Sequence, residues 1–286
     1  MLLMSSSGIM PGLVREISEL SLGLIVFAIL IVVLHHLERA SGRVVSHRLG
    51  WRGVLVTGAV GVPIHEVSHL VVAKLFGHRI IAWRLFDPDP ASGTLGYVRH
   101  GVRRDTAWQR LGFLFIGLAP LLGGGLALAA LVWWMVPTAA WSHLMGLAGQ
   151  ASLTDVTRLE AWGHLMAALA RLGRAVAMTI WSARTPWLPL QIFLILAVAS
   201  HMAPSRSDLR VAGRGLLVAL IVLFGAAVLG HLLGIGGLGR AILAGLPLLV
   251  GVVAGAGILQ GGYVLGLHAL GRRRKGGMSL ERGDTL

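Results

Sequence analysis

The residues best suited to chemistry are His65, Glu66 and His69, which form the pattern His-Glu-x-x-His. Two histidines four positions apart project from the same face of an α-helix, so both imidazoles can bind one Zn²⁺ ion. The glutamate beside the first histidine is then placed to act as general base on a zinc-bound water. The pattern therefore predicts a metal site with a proton acceptor next to it.

The motif lies inside an apolar run, residues 53–76, that is long enough to cross a membrane. An ionisable residue at bilayer depth costs at least about 2.5 kcal/mol. The alternative reading makes His65 and His69 buried polar contacts between helices. It leaves Glu66 as an unexplained carboxylate in hydrocarbon, so zinc binding is favoured.

Composition places the whole chain in a bilayer. Of its 286 residues, 55% are hydrophobic and only 13% are charged, where a soluble domain carries about 25% charged residues. The net charge of +13 comes from basic residues between apolar runs, which suits anionic lipid and topology better than nucleic acid. With no cysteine, a zinc site must use histidine and carboxylate.

Six apolar segments are long enough, or nearly so, to span about 30 Å of hydrocarbon. They are 17–36, 53–76, 111–136, 187–204, 215–236 and 241–269. The sequence thus predicts an all-α polytopic membrane protein, a single integral membrane domain over 1–286. The fourth segment is the shortest and is least defined at its C-terminal end.

Basic residues predict the orientation. The tail, 270–286, contains Arg272-Arg273-Arg274-Lys275 and is expected on the cytoplasmic side of a bacterial inner membrane. Counting back places the C-terminal half of the zinc-motif segment near the cytoplasmic face. The 37–52 connection then lies outside despite its four arginines, so either the first segment does not span fully or this loop breaks the rule.

Two connections have internal order. Residues 139–183 carry apolar positions at helical spacing among arginines, which predicts amphipathic helices on the membrane surface. Residues 80–86 and 94–100 are strand-like and enclose a turn rich in proline, aspartate and glycine. We expect a short β-hairpin after the zinc-motif helix, either a plain connector or an edge that pairs with an extended peptide.

A catalytic zinc usually has three protein ligands, so a third must come from elsewhere in the chain. The supply is six aspartates and six glutamates. Most flank the first segment, lie in loops or the tail, or fall on the opposite side of the membrane. Elimination leaves Asp208, directly after the fourth segment.

Two alternatives to Asp208 as ligand remain open at this point. Ser205 and Asp208 also fit a helix N-terminal capping pattern, in which Asp208 would only cap. His201 could be the ligand instead. Asp208 would further lie too near the membrane edge unless the backbone around Pro204 unwinds. His201 and Ser205 could otherwise supply hydrogen bonds to an oxyanion or to Asp208.

These residues together resemble the site-2 protease-type family of intramembrane zinc metalloproteases, in a divergent bacterial branch of zincin membrane peptidases. Residues 61–69 look like the zinc helix of that family, 80–100 its membrane-associated hairpin, and 115–120 the start of its next core helix. The pattern His201-x-x-Pro204-Ser205-x-x-Asp208 is similar to that branch's late motif. The resemblance covers about 53–213, with 17–36 and 215–269 as accessory helices.

The expected function is zinc-dependent hydrolysis of a peptide bond in or next to a membrane-spanning segment of a protein substrate. His65, His69 and Asp208 would bind Zn²⁺, and Glu66 would take the proton of the attacking water. The expected partners are the lipid bilayer and a membrane-protein substrate, and no nucleic acid. A membrane protein that binds or transports zinc without proteolysis is the alternative.

Overall fold

The computed structural model describes residues 6–102, 106–151, 158–234, 245, 247, 250–262 and 264–266. Two strands, β1 (Arg79–Arg84) and β2 (Tyr97–Gly101), stand among long helices. The helices are α1 (Ser6–Leu75), α2 (Ala107–Met135), α3 (Trp141–Gly149), α4 (Leu159–Ser182), α5 (Leu188–Ala199), α6 (Arg206–Leu232) and α7 (250–262). The predicted helical fold with one small hairpin is therefore confirmed in its broad outline.

Helix α1 joins the first two predicted segments and is interrupted at Gly50, where φ is 65° and ψ is −166°. Glycine adopts such a positive φ without steric penalty. We call residues 11–49 the first arm and residues 51–75 the zinc-motif arm. The loop expected at 37–52 is wrong, because leucine, arginine, glutamate and alanine favour helix throughout this stretch and only Gly50 departs from it.

In the part of the chain that the structure describes, three helices are long and apolar enough to cross a membrane: Pro11–Leu75 within α1, then α2 and α6. The fourth predicted segment, 187–204, forms only the 12-residue helix α5, about 18 Å long. It stops early because the chain leaves the helical conformation ahead of Pro204. Within the sixth segment, 241–269, the described residues 250–262 and 264–266 are helical, shorter than a spanning helix requires, and the expected total of six spans is not confirmed.

Strands β1 and β2 pair antiparallel, with Arg79 opposite Gly101 and Arg84 opposite Tyr97. The predicted hairpin is confirmed, with its strands shifted by a few residues from the expected 80–86 and 94–100. The wide turn is closed by the amide of Asp87, which donates to the carbonyl oxygen of Leu95 at 2.7 Å. This hairpin follows the zinc-motif arm after a tight turn at Gly77.

The connection at 139–183 is helical, as predicted. Helix α4 buries Ala161, Leu165 and Ala168 along one face, at spacings of four and three residues, and leaves Arg171 and Arg174 exposed. That pattern is typical of an amphipathic helix. Its position on a membrane surface stays a prediction, and residues 152–157 lie outside the described part.

The core that fixes the candidate site is a cluster of buried apolar side chains from four parts of the chain. The first arm, α2, the segment between α5 and α6, and α7 all contribute. Its members are Ile31, Leu34, Leu121, Met202, Ala203, Val253 and Ala256. This packing holds residues 200–205 against the first arm.

Candidate metal centre

The zinc-motif arm places two imidazoles side by side. His65 and His69 lie one turn apart, and their Nε2 atoms are 3.2 Å from each other. His69 is buried and His65 is partly exposed. The helical spacing expected from the motif is therefore present, with both rings directed at one point.

Asp208, in the first turn of α6, completes the group. Its Oδ2 lies 3.4 Å from His65 Nε2, and its Oδ1 lies 3.3 Å from His69 Nε2. His69 and Asp208 are 139 positions apart in sequence, yet one potential ligand atom from each of the three residues lies within 4.8 Å of the other two. Among the described residues this is the one cluster of histidine and carboxylate suited to hold a metal ion.

The other ring nitrogens fix how the imidazoles present themselves. His65 Nδ1 donates to the carbonyl oxygen of His201 at 2.8 Å, and His69 Nδ1 donates to that of Ile116 at 2.9 Å. A carbonyl can only accept, so both Nδ1 atoms carry a proton, and in the neutral rings the Nε2 atoms then present lone pairs to one another and to Asp208. This is the usual outer support of a metal-binding histidine.

Three potential ligands that face one another are stabilised by a positive charge, such as a metal ion, between them. In a tetrahedral zinc site with bonds of about 2.0–2.2 Å, the ligand atoms are separated by about 3.3 Å. The two Nε2 atoms lie 3.2 Å apart, and each lies 3.3–3.4 Å from a different oxygen of Asp208, which is close to that spacing. Two imidazoles and one carboxylate also form a donor set that zinc accepts. The residues could therefore hold a metal ion.

Asp208 is held by a capping box at the start of α6. Its Oδ2 accepts from the amide of Ser205 at 2.7 Å, while Ser205 Oγ accepts from the amide of Asp208 at 3.2 Å. The capping role and the position at the metal centre are thus compatible, because each carboxylate oxygen has more than one lone pair. Ser205 supports Asp208, as one of the alternatives expected.

His201 does not join the ligand group. Its Nδ1 lies 3.0 Å from the carbonyl oxygen of Ala197 and 3.1 Å from Ser200 Oγ, so the ring is bound to the end of α5. His201 as third ligand is therefore not supported. Its contribution is the backbone carbonyl that orients His65.

Residues 200–205 solve the problem of depth. Helix α5 ends at Ala199 and α6 begins at Arg206, so the chain between them is unwound as the position of Asp208 required. Irregular backbone is tolerated at membrane depth when its polar groups find partners. Three side chains that the sequence reading missed supply some of them: His35, Glu38 and Gln260. The sequence feature that could have identified them is that each is a polar residue in or next to an otherwise apolar stretch.

Glu66 lies beside the ligands on the zinc-motif arm. Its side chain is 7% exposed, and it makes no hydrogen bond to any residue that the structure describes. A buried carboxylate without a protein partner keeps its lone pairs available for water. This is the state that a general base needs before substrate arrives.

A second pair of histidines fastens the hairpin to α2. His78 Nε2 donates to the carbonyl oxygen of Gln109 at 2.8 Å, and its Nδ1 lies 2.9 Å from His100 Nδ1. His100, on β2, is then the donor between the two rings. Burial, aided by the nearby His78, lowers the pKa of His100 to about 4. The contact between these two rings holds β2 beside α2.

Gly117 lets α6 approach α2 closely enough to deliver Asp208. A Cβ atom at this position would collide with the carbonyl oxygen of Asp208 and lie 2.6 Å from the Cβ of Ala212. No side chain can shift to relieve a collision with backbone. The absence of a side chain at Gly117 is therefore part of how the third ligand reaches the histidines.

We expect Gly117→Ala to weaken zinc binding by about tenfold to a hundredfold. Overpacking costs about 1–3 kcal/mol, and the added methyl pushes directly on the residue that bears the ligand. The measurement is the zinc dissociation constant of the full chain, by competition with a chelator.

Gly213→Ala is the matched control, because a Cβ at Gly213 in the same helix α6 meets nothing within 4 Å. That variant should keep the parental zinc affinity. Equal affinities for the two variants would contradict the role given to Gly117.

Comparison of the chain with protein-family models, with curated proteins and with solved structures finds no match.

Proposed function

We propose that the protein is a zinc-dependent intramembrane endopeptidase of the site-2 protease type. It hydrolyses a peptide bond in or next to a membrane-spanning segment of a protein substrate. The observation that carries the proposal is the meeting of His65, His69 and Asp208 within 3.2–3.4 Å of one another, with the buried Glu66 beside them.

Each residue has a distinct task. His65, His69 and Asp208 bind the ion, and the carbonyl oxygens of His201 and Ile116 keep the two rings oriented. A bound zinc ion supplies the positive charge that makes water acidic and polarises a carbonyl. Glu66 accepts the proton of the attacking water and transfers it to the nitrogen of the leaving amine.

The surroundings of the site favour a substrate within the bilayer. The motif lies in one of three helices apolar enough to cross a membrane, and the unwound segment 200–205 beside it can line a polar cavity. A transmembrane helix protects its own carbonyls by hydrogen bonding, so the substrate must unwind locally. Water and substrate reach the site from the cytoplasmic side, past the hairpin.

Metal removal tests the proposal. The full chain in lipid nanodiscs is incubated with single-span reporter proteins whose transmembrane segments contain glycine and proline. We expect chelation to abolish cleavage, and one equivalent of Zn²⁺ per chain to restore it, because three protein ligands hold a single ion.

A zinc-loaded chain that leaves every reporter intact would overturn the protease proposal. Zinc flux into proteoliposomes would then identify a transporter, and its absence a zinc-binding protein without transport. Against transport, an ion pathway needs polar groups at several depths, whereas the described residues hold a single metal-binding cluster.

A further inference from the structure

The first arm of α1 reaches the metal centre from outside the region that contains the motif. His35 and Glu38 lie three positions apart and therefore on the same face of the helix. His35 Nδ1 donates to the carbonyl oxygen of Pro204 at 2.9 Å, and Glu38 Oε2 accepts from the amide of Ala203 at 2.8 Å. Both contacts fall on the unwound segment before Asp208.

The contacted backbone leads directly to the third ligand. Ala203 and Pro204 are almost fully buried, and Ser205, the next residue, donates its amide to Asp208 Oδ2. A displacement of Ala203 is thus transmitted through two peptide units to the carboxylate. The segment contains no regular hydrogen bonding of its own, so side chains must define its path.

The zinc-motif arm holds the same segment from the other side. His65 Nδ1 donates to the carbonyl oxygen of His201. A Cβ atom at Gly61 would collide with the carbonyl oxygen of Ala197. Residues 197–204 are therefore in contact with both arms of α1, which join at Gly50. The position of Asp208 relative to the two histidines depends on both sets of contacts.

We propose that Glu38 is a positioning residue for Asp208, fixing the Ala203–Pro204 segment together with His35 so that the carboxylate reaches His65 and His69. The inference rests on the proposed zinc site. Ala203 is buried, so its amide needs the acceptor that Glu38 supplies. Apolar packing alone would hold α1 to its neighbours, so a carboxylate here has a purpose beyond packing.

Two variants of equal side-chain length isolate the hydrogen bond. Glu38→Gln keeps an oxygen that accepts from Ala203, whereas Glu38→Met keeps the bulk and helix propensity but has no such acceptor. We expect Glu38→Met to weaken zinc binding about tenfold, the lower end of what outer-shell changes cost. Glu38→Gln should stay within about twofold of the parent protein by the same measure.

The measurement is the dissociation constant for Zn²⁺ on the full chain, with thermal unfolding of the metal-free chain as a companion reading. A merely structural role would lower the unfolding temperature and leave the affinity of the folded chain unchanged. Equal zinc affinity in the Met and Gln variants, whether parental or weakened, overturns the proposal.

The second contact gives an independent pair of variants. His35→Phe removes the donor to Pro204, whereas His36→Phe changes the exposed neighbour and should leave zinc affinity at the parental value. His35→Phe is expected to weaken zinc binding. If the parent protein binds no zinc, the proposed function fails. If it binds zinc and neither Glu38→Met nor His35→Phe weakens binding, only the role of the first arm fails.

Discussion

Glu66→Gln is expected to lower kcat for reporter cleavage by about 10²- to 10⁴-fold, the usual contribution of a positioned general base. Zinc content should stay at one ion per chain. Glutamine preserves size and helix propensity but cannot accept the proton of the attacking water. The two ligand histidines and Asp208 bind through atoms that this change does not touch. The measurements are single-turnover cleavage and metal analysis of the same preparation.

Two further variants bracket this result. Glu66→Asp keeps a carboxylate but withdraws it by one methylene, so its rate should lie between those of the parent and Glu66→Gln. Glu160→Gln removes an exposed carboxylate in the first turn of α4 and should leave the rate unchanged. Cleavage by Glu66→Gln at the parental rate would show that Glu66 is not the base.

Local periodicity made one half of the site readable from the sequence. His65, Glu66 and His69 need only a helix to share a face, and an apolar run of this length guarantees a helix in a membrane. The same reasoning located the hairpin, because turn-forming residues separate its two strand-like stretches. Both features depend on residues that are neighbours in the chain.

Elimination among the acidic residues identified Asp208 as a candidate ligand. The sequence did not show how its carboxylate would be oriented. The sequence offered capping and metal binding as competing roles, whereas the carboxylate serves the capping box while it faces both histidines. The close approach of α2 and α6 at Gly117 that permits this depends on packing between residues distant in sequence. A pattern of residue types does not show which glycine contacts which backbone.

The first arm shows where sequence reasoning fails for a physical reason. Charge counting placed a loop at 37–52, because arginines between apolar runs are typical of membrane boundaries. The stretch is helical on both sides of Gly50, and the helix of the first arm brings Glu38 to Ala203. The contact between Glu38 and Ala203 joins residues 165 positions apart and depends on tertiary packing. Local helix propensity does not predict such a contact.

Asp208→Asn is expected to weaken zinc binding by about a hundredfold or more, at least the upper end of what outer-shell changes cost. A hundredfold loss corresponds to about 2.7 kcal/mol. The asparagine oxygen can still accept from the amide of Ser205, so the start of α6 should persist. The negative charge that faces two imidazole lone pairs is lost, and with it the charge balance of the site. Chelator competition measures the affinity, and circular dichroism on heating measures stability.

Ser205→Ala gives the opposite pattern and so separates the two roles of Asp208. It removes the hydroxyl that accepts from the amide of Asp208, at a cost of about 1 kcal/mol in stability, but leaves the carboxylate in place. We expect a lower unfolding temperature. The loss of zinc affinity should be much smaller than the loss in Asp208→Asn. If Asp208→Asn instead binds zinc like the parent, Asp208 only caps α6, and the two histidines must find their third ligand elsewhere.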